Sequence, residues 1–224
     1  MRTFLSLEYA HDTALPADHD DEFRTPHALV ERFLTEYTEP GDRVLDPFAG
    51  FGTTLAVAER LDREAYGIEY DADRVEHARD AVADAARVHH GSVLDLDDAW
   101  FPACDMCFTS PPFMERTDTR NPFENYAGES TYVDYLDDVE RAFSRVESVL
   151  ATGAHVVVDV SNMKHEGRVT TLAWDVADRV ANVLEFDGEV VVGWEAGDDR
   201  DHGDGTFGYG YDHSYCLTFT KKNE

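Results

Sequence analysis

Three stretches of this chain combine residue types that could do chemistry together. The first is Thr109-Ser110-Pro111-Pro112-Phe113, which follows the apolar run Met106, Cys107, Phe108. The run reads as a buried strand, and the two prolines stop it because neither has an N–H to donate to a sheet. A hydroxyl, two adjacent carbonyls that no sheet partner need claim, and an aromatic ring are thus presented at one strand end. Such a set can grip a flat group carrying an amino substituent, although an ordinary Pro-Pro turn would look the same. The second stretch is Asp46-Pro47-Phe48-Ala49-Gly50-Phe51-Gly52-Thr53-Thr54. Its glycines let the backbone approach a ligand closely, and a helix opening at Thr53 supplies free N–H groups. It is not the dinucleotide G-x-G-x-x-G, because the third glycine is missing, nor a P-loop, because no Gly-Lys-Ser/Thr follows. The third is Gly67-Ile68-Glu69, where an acid at the end of the next strand could accept hydrogen bonds from both hydroxyls of a ribose. A glycine pair after a strand is often only structural; with Glu69 it points to a ribose-bearing ligand.

The elements that must position these residues alternate. Residues 3–9 read as a short strand, followed by a polar, acidic connection. Thr25 and Pro26 open a helix whose Leu29, Val30, Phe33, Leu34 and Tyr37 share a face, and Pro40-Gly41 breaks it. A strand from Val44 leads into the glycine turn, and a helix with Leu55, Val57, Ala58 and Leu61 apolar follows. Residues 65–70 then read as strand, 72–87 as helix, 88–93 as a third strand end and 106–109 as the fourth strand. Ser130 is the expected cap of a long helix through Val133, Leu136, Val139, Phe143, Val146 and Leu150, with Gly153 ending it. Residues 155–160 form a fully buried strand, 169–184 a helix, and 190–194 and 215–219 two closing strands able to pair as an antiparallel hairpin at one edge. Strands alternating with helices imply an α/β fold, a mainly parallel sheet with helices on both faces. The expected organisation is one domain over 1–224, with 1–24 an extension and 25–222 the core; no separate target-recognition domain is evident.

Composition narrows the setting. At 224 residues the chain is long enough to bury a proper core, and no apolar run reaches the about 18 residues of a membrane span. The N-terminus turns acidic, unlike a secretory signal, and Cys104, Cys107 and Cys216 suit a reducing cytoplasm without a disulfide framework. Cys104 and Cys107 have metal-ligand spacing but no second pair, and Cys107 falls in a strand, so no metal site is expected. Forty-seven acidic against nineteen basic residues give a net charge of −28, spread along the whole chain. That resembles halophilic adaptation to molar salt, where the Debye length is about 3 Å. In ordinary salt such a surface would repel phosphates; in molar salt the objection weakens, so composition neither names nor excludes a nucleic-acid partner.

Taken together, the stretch from Asp46 to Thr54, then Gly67-Ile68-Glu69, then Ser110-Pro111-Pro112-Phe113, resemble the S-adenosylmethionine-dependent amino-methyltransferases of the N4-cytosine/N6-adenine DNA methylase family. Thr25-Pro26-His27-Ala28-Leu29 is similar to that family's helix flanking the methionine end of the cofactor. Tyr132-Val133-Asp134-Tyr135-Leu136 through Gly153 resembles the helix after the catalytic loop, and His213-Ser214-Tyr215 with Lys221-Lys222 the final strand. The resemblance covers most of 25–222. It implies a Rossmann-like class I methyltransferase fold with S-adenosyl-L-methionine as cofactor. Thr25, Asp46, Phe48, Gly50 and Gly52 would line its methionine side, with Thr53 and Thr54 at the helix start. Glu69 would hold the ribose, and Ser92 and Val93 would flank the adenine. The family more often has an acid where Ser92 stands, and Ser92 with Asp95 could simply cap a turn.

The resemblance also assigns the chemistry. Acceptors on both N–H bonds of an exocyclic amine, here the Ser110 side chain and the Pro111 carbonyl, would turn its lone pair toward the methyl group. Pro112 completes the turn, and Phe113 would stack on a base extruded from its helix by base flipping. Serine in first place resembles the cytosine branch more than the adenine branch. Arg116, Arg120, Lys164, His165 and Arg168 follow strand ends on the active face, to meet phosphates or simply solvent. Asp159 is either a supporting residue near the base pocket or a plain strand end; His89 and His90 read as surface, and Gly203 to Gly210 as a hairpin tip. Only the loop 114–129 and the acidic segment 195–211 are free to read bases. Recognition is therefore short, supplied by a specificity partner or a homodimer, or directed at RNA. DNA is the favoured substrate, tRNA or rRNA the alternative, and a non-catalytic cofactor-binding subunit a third reading that intact Ser110, Pro111, Pro112 and Glu69 disfavour.

Overall fold

The computed structural model describes residues 2–12, 15, 24–165, 167–195 and 212–222. In chain order the elements are β1 (Phe4–Glu8), α1 (His27–Tyr37), β2 (Arg43–Asp46), α2 (Thr53–Arg60), β3 (Glu64–Glu69), α3 (Ala72–Asp80), β4 (Val88–His90) and β5 (Cys104–Thr109). After them come α4 (Tyr132–Ser148), β6 (Leu150–Val160), β7 (Met163–His165), β8 (Arg168–Thr170), α5 (Leu172–Val180), β9 (Glu185–Glu195) and β10 (His213–Thr220). Eight strands form one sheet in the order β1-β9-β10-β6-β5-β2-β3-β4, and β7 pairs with β8 separately. Every neighbouring pair in the large sheet is parallel except those made by β10, which runs antiparallel to both β6 and β9.

The central strands are apolar throughout because helices cover both their faces. On one face α4 and α5 bury Tyr135, Val139, Phe143, Leu172 and Val176 against Leu45, Cys107, Val156 and Val158. On the other, α1, α2 and α3 bury Leu29, Phe33, Leu55 and Ala78 against Met106, Phe108, Val157 and Cys216. The expected α/β architecture is therefore present, including the antiparallel pair. That pair sits differently from expectation: β10 is inserted between β9 and β6, and β1, from the supposed N-terminal extension, adds in parallel to β9 as the outer strand.

Local departures have local causes. The α4 helix is capped by Thr131, not Ser130. Thr131 and Asp134 exchange the reciprocal bonds of a capping box, and Thr131 holds the Asp134 carboxyl below the usual range. Gly153 lies inside β6 at φ +79° rather than ending the helix, which stops at Ser148. The α3 helix ends at Asp80 instead of 87, since only Val75 and Ala78 of it are buried; Asp84 caps a 3-10 turn, Ala85–Arg87, in place of its last turns. Thr25 makes no cap, the N-cap of α1 being Pro26. The segment expected as one helix over 169–184 is β8 followed by α5.

Gly52 caps α2 at φ +83°, and a Cβ there would lie 2.9 Å from the Ala78 Cα and 3.1 Å from the Ala81 Cβ. The nearest obstacle is backbone, which cannot swing aside. Gly52→Ala should therefore cost about 1–3 kcal/mol of stability through strain and overpacking. The midpoint of urea unfolding measures this, and an unchanged midpoint would contradict the packing described.

Candidate active site and cofactor cleft

The C-terminal ends of β2, β3, β5 and β6 open into one cleft of about 810 Å³. Ligands of open α/β sheets bind at this end of the strands. Lining it are Thr25, Asp46, Phe48, Gly50, Thr53, Thr54, Glu69, Ser92, Val93, Ser110, Pro111, Pro112 and Phe113, which brings together residues that the sequence holds far apart. Gly52 is absent from the lining, because it faces α3 and serves the entry into α2.

The glycine turn is fixed by two buried carboxylates. Asp46, at the end of β2, accepts from the Phe48 N–H (3.1 Å) and the Thr109 hydroxyl (2.7 Å) through Oδ1. Burial pushes its carboxyl up to about 6; bonds from Thr54, Thr109 and Phe48 oppose the rise, and the charge of Glu69 adds to it. Glu69, 9% exposed at the end of β3, accepts from the Gly50 N–H through Oε2 (2.7 Å) and from the Asp71 N–H through Oε1 (2.8 Å). Gly50 stands at φ +53°, which lets its N–H turn toward that carboxylate. One acid thus ties the turn after β2 to the turn after β3, with its remaining lone pairs toward the cleft. Ser92 accepts from the Leu94 N–H at 3.2 Å and caps the 3-10 turn Val93–Asp95 while lining the cleft.

At the other end of the cleft, Ser110 is half-buried, Pro111 buried and Phe113 36% exposed. The two prolyl carbonyls are not equivalent. Pro112 O accepts from the Tyr135 hydroxyl of α4 (3.0 Å), so the helix behind the motif claims it. Among the described residues, neither Ser110 Oγ nor Pro111 O is engaged by a side chain. The sequence stretches that hold Tyr135 and Thr109 gave no sign of their bonds, the Tyr135 hydroxyl to Pro112 O and the Thr109 hydroxyl to Asp46. Nor did local sequence mark Tyr9 and Arg24, which line the cleft from the N-terminal side, or Phe123 and Tyr126, which line it beyond Phe113. Phe123 meets Phe48 edge-on at 5.7 Å, and Tyr126 is 53% exposed at φ +57°.

The loop expected to read bases is partly structural. Met114 and Asn121 are fully buried, and Asn121 donates to Asp138 (2.8 Å) while accepting from the Phe123 N–H (3.0 Å). Arg116 donates to Asp175 (2.8 Å) and Thr171 (3.1 Å) over the Tyr132 ring, so it is committed within the protein. Arg120, Lys164 and Arg168 are exposed. The His165 side chain and residues 196–211, including the glycine-rich 203–210, lie outside the described residues. His89 stacks on Trp100 with centroids 3.5 Å apart, and burial pushes its pKa down. Burial also pushes the Cys104 thiol up to about 12 and that of Cys107 well above its ordinary value. Thiols so displaced are poor nucleophiles and poor ligands.

Asp159, at the end of β6, lines the cleft as well, and burial pushes its carboxyl up to about 6. Asp46 and Asp159 together set a pH dependence. An unfolded aspartyl carboxyl ionises near 3.8 and these two near 6. Between those values the folded chain binds protons that the unfolded chain does not, so their contribution favours folding as pH falls through 6 toward 4. Above 6 the penalty is complete, about 3 kcal/mol each, since every tenfold change in the ionisation equilibrium is worth about 1.4 kcal/mol. An Asp159→Asn protein should therefore melt higher than wild type at pH 7.5, and this gain should vanish by pH 3.5. A gain independent of pH would count against the buried charge.

The fold is that of the class I methyltransferases. TrmN from Thermus thermophilus superposes with a TM-score of 0.56 at 18% identity, over 88% of this chain and 49% of that one. A methyltransferase from Pyrococcus furiosus gives 0.58 at 14% identity, over 96% and 91%. Residues 8–80, about a third of the chain, match the DNA methylase family model. Type II methyltransferase M.BglII of Bacillus subtilis is 47% identical over 77 residues, 34% of this chain and 20% of that protein. Type II methyltransferase M2.DpnII of Streptococcus pneumoniae is 44% identical over 54 residues, 24% of this chain and 20% of that protein. Each match thus spans a fifth of its relative's length. Fold and family indicate S-adenosyl-L-methionine as the cofactor. The cleft suits it, offering buried carboxylates to a molecule with two positive centres and a glycine turn where a backbone must come close.

Proposed function

We propose that this protein transfers a methyl group from S-adenosyl-L-methionine to the exocyclic amino group of a base in DNA, cytosine N4 in preference to adenine N6. The observation that carries this reading is the division of acceptors at the motif. Tyr135 takes Pro112 O, which leaves Ser110 Oγ and Pro111 O at the cleft, one for each N–H of a planar amino group. The bound cofactor supplies an activated methyl group carried on a sulfonium. Glu69 accepts from the ribose hydroxyls, while Asp46, Phe48 and Gly50, with Thr25, Thr53 and Thr54, enclose the methionine side. Ser92 and Val93 border the adenine. With both N–H bonds held, the lone pair of an otherwise conjugated, weakly nucleophilic amine points out of the base plane.

Phe113 lies on the rim and offers a stacking face to an extruded base. Phe113→Ala should weaken DNA binding by about tenfold, the loss of one base–aromatic stack. Fluorescence anisotropy with a labelled oligonucleotide measures it, and unchanged affinity would count against stacking. Serine as the first motif residue supports cytosine. Among the described residues, the exposed rim around Tyr126 is the part of the cleft edge placed to meet the target. Among the described residues no helix is long and apolar enough to cross a membrane; a cytoplasmic setting is part of this proposal, on the ground that its substrate is DNA.

Labelled cofactor offered in molar potassium chloride to total DNA, total RNA and tRNA, followed by nucleoside analysis, tests the reading. N4-methylcytosine in DNA is the expected product. N6-methyladenine in DNA would reverse the choice of base, and methylation confined to RNA would overturn the choice of polymer.

A further inference from the structure

The cleft holds three carboxylates, and they are not held alike. Glu69 has two backbone N–H groups, and Asp46 has a backbone N–H and the Thr109 hydroxyl. Asp159 is as deeply buried, at 8% exposure, yet its donor among the described residues is a thiol, Cys216 Sγ at 3.9 Å. The Ser214 hydroxyl, 1% exposed beside it, lowers the carboxyl's pKa as a weak, poorly directed donor but makes no well-formed hydrogen bond. No ion pair to Asp159 forms among the described residues. A thiol is a weak donor, and a buried carboxylate this poorly compensated is costly unless a proton or a cation from a ligand meets it.

Its place in the sheet says which. Thr109 of β5 pairs with Val158 of β6, so Ser110 and Asp159 follow as neighbours on adjacent strands, and both line the cleft. We propose that Asp159 is the group that takes the proton the target amine must lose. This rests on the amino-methylation reading above. As the nitrogen–carbon bond forms and the sulfur–carbon bond breaks, positive charge passes from sulfur to nitrogen. One N–H bond then breaks, its electron pair stays on nitrogen as the lone pair of the methylamino group, and the proton goes to an Asp159 oxygen and on to water. Ser110 Oγ and Pro111 O orient the amine, but a neutral hydroxyl or amide carbonyl does not keep a proton at neutral pH. A carboxyl displaced to about 6 by burial does so readily and gives it up again. Beside Asp159 are Ser214 and Cys216 of β10, and Ser110, just past the end of β5, lines the same cleft. Asp46 and Glu69 stand further along the cleft, with Tyr9 and Arg24 on its N-terminal side and His27 at the start of α1.

Asp159→Asn keeps the shape and removes the charge. With saturating cofactor and DNA, the wild-type single-turnover rate should climb as pH rises through the Asp159 titration. The variant should be on the order of 100-fold slower, with that acid limb gone. Its affinity for labelled cofactor in equilibrium dialysis should stay within about threefold of wild type, as expected for a group that acts on the transition state. A 13C titration of the Asp159 carboxyl in the free protein should centre near 6. Cys216→Ala, which removes the thiol donor, should move the limb to higher pH and serves as the second variant. An acid limb retained in Asp159→Asn overturns the proposal. So does a loss of cofactor affinity with turnover intact, which would pair Asp159 with the methionine ammonium instead. A wild-type protein that methylates no DNA would remove both readings, whereas an active wild type matched by Asp159→Asn removes this one alone.

Discussion

Ser110→Ala is expected to lower single-turnover methyl transfer by about 100-fold or more while leaving cofactor affinity within about twofold of wild type. The magnitude is that of removing one well-placed hydrogen-bonding group from a reacting centre. The asymmetry follows from position. Ser110 lines the cleft at the end of β5, whereas the carboxylates that fix the glycine turn stand at the ends of β2 and β3. Losing the hydroxyl leaves one acceptor, Pro111 O, for two N–H bonds, so the amine is held but its lone pair is no longer aimed. Rapid-quench kinetics beside calorimetric titration of the cofactor separates the two quantities. An equal loss in both would assign Ser110 to holding the cofactor and sink its proposed role.

Glu69→Gln is expected to act oppositely, weakening cofactor binding by about 30- to 100-fold and costing about 1–3 kcal/mol of stability. The carboxylate accepts from Gly50 N at one oxygen and Asp71 N at the other. An amide has a single oxygen, so its NH2 group must face one of those N–H donors. One turn then loses its anchor, and the ribose loses a charged acceptor. Calorimetry of cofactor binding and urea unfolding should both move. Binding that stays within about threefold would mean that the backbone, and not the acid, holds the ribose.

Those two expectations draw on residues that local sequence made legible. Asp46, Gly50 and Ser110 each belong to a strand end running into a turn marked by glycine or proline, and Glu69 is an acid at a strand end that runs through Tyr70 and Asp71 into a helix. The alternation of buried strand and amphipathic helix likewise exposed the layered sheet, as in Val156, Val157 and Val158 of β6 and the apolar stripe of α4. What was not legible depends on partners distant in sequence. Thr109 reaches Asp46 across 63 positions, and the Tyr135 hydroxyl returns to Pro112 across 23. Neither residue type has a local signature for such a bond, and an aromatic at core spacing reads as core. The insertion of β10 between β9 and β6 was hidden for the same reason, since two apolar strands near a terminus fit an edge or an interior place equally well. The cap of α4 was within reach: Asp134 lies three residues after Thr131, whereas Val133 lies three after Ser130, and only the former can close a capping box.

The bond from Tyr135 to Pro112 has a thermodynamic consequence. Together with the buried Met114 and Asn121 on its far side, it fastens the Pro111-Pro112 turn to α4 before any ligand arrives. Little ordering entropy is then left to be lost at the turn on binding. For the proposed DNA substrate, the free-energy barrier to engagement would then lie with the base that has to leave its stack, so bases already unstacked by mismatch or single-strandedness should be engaged faster than paired ones.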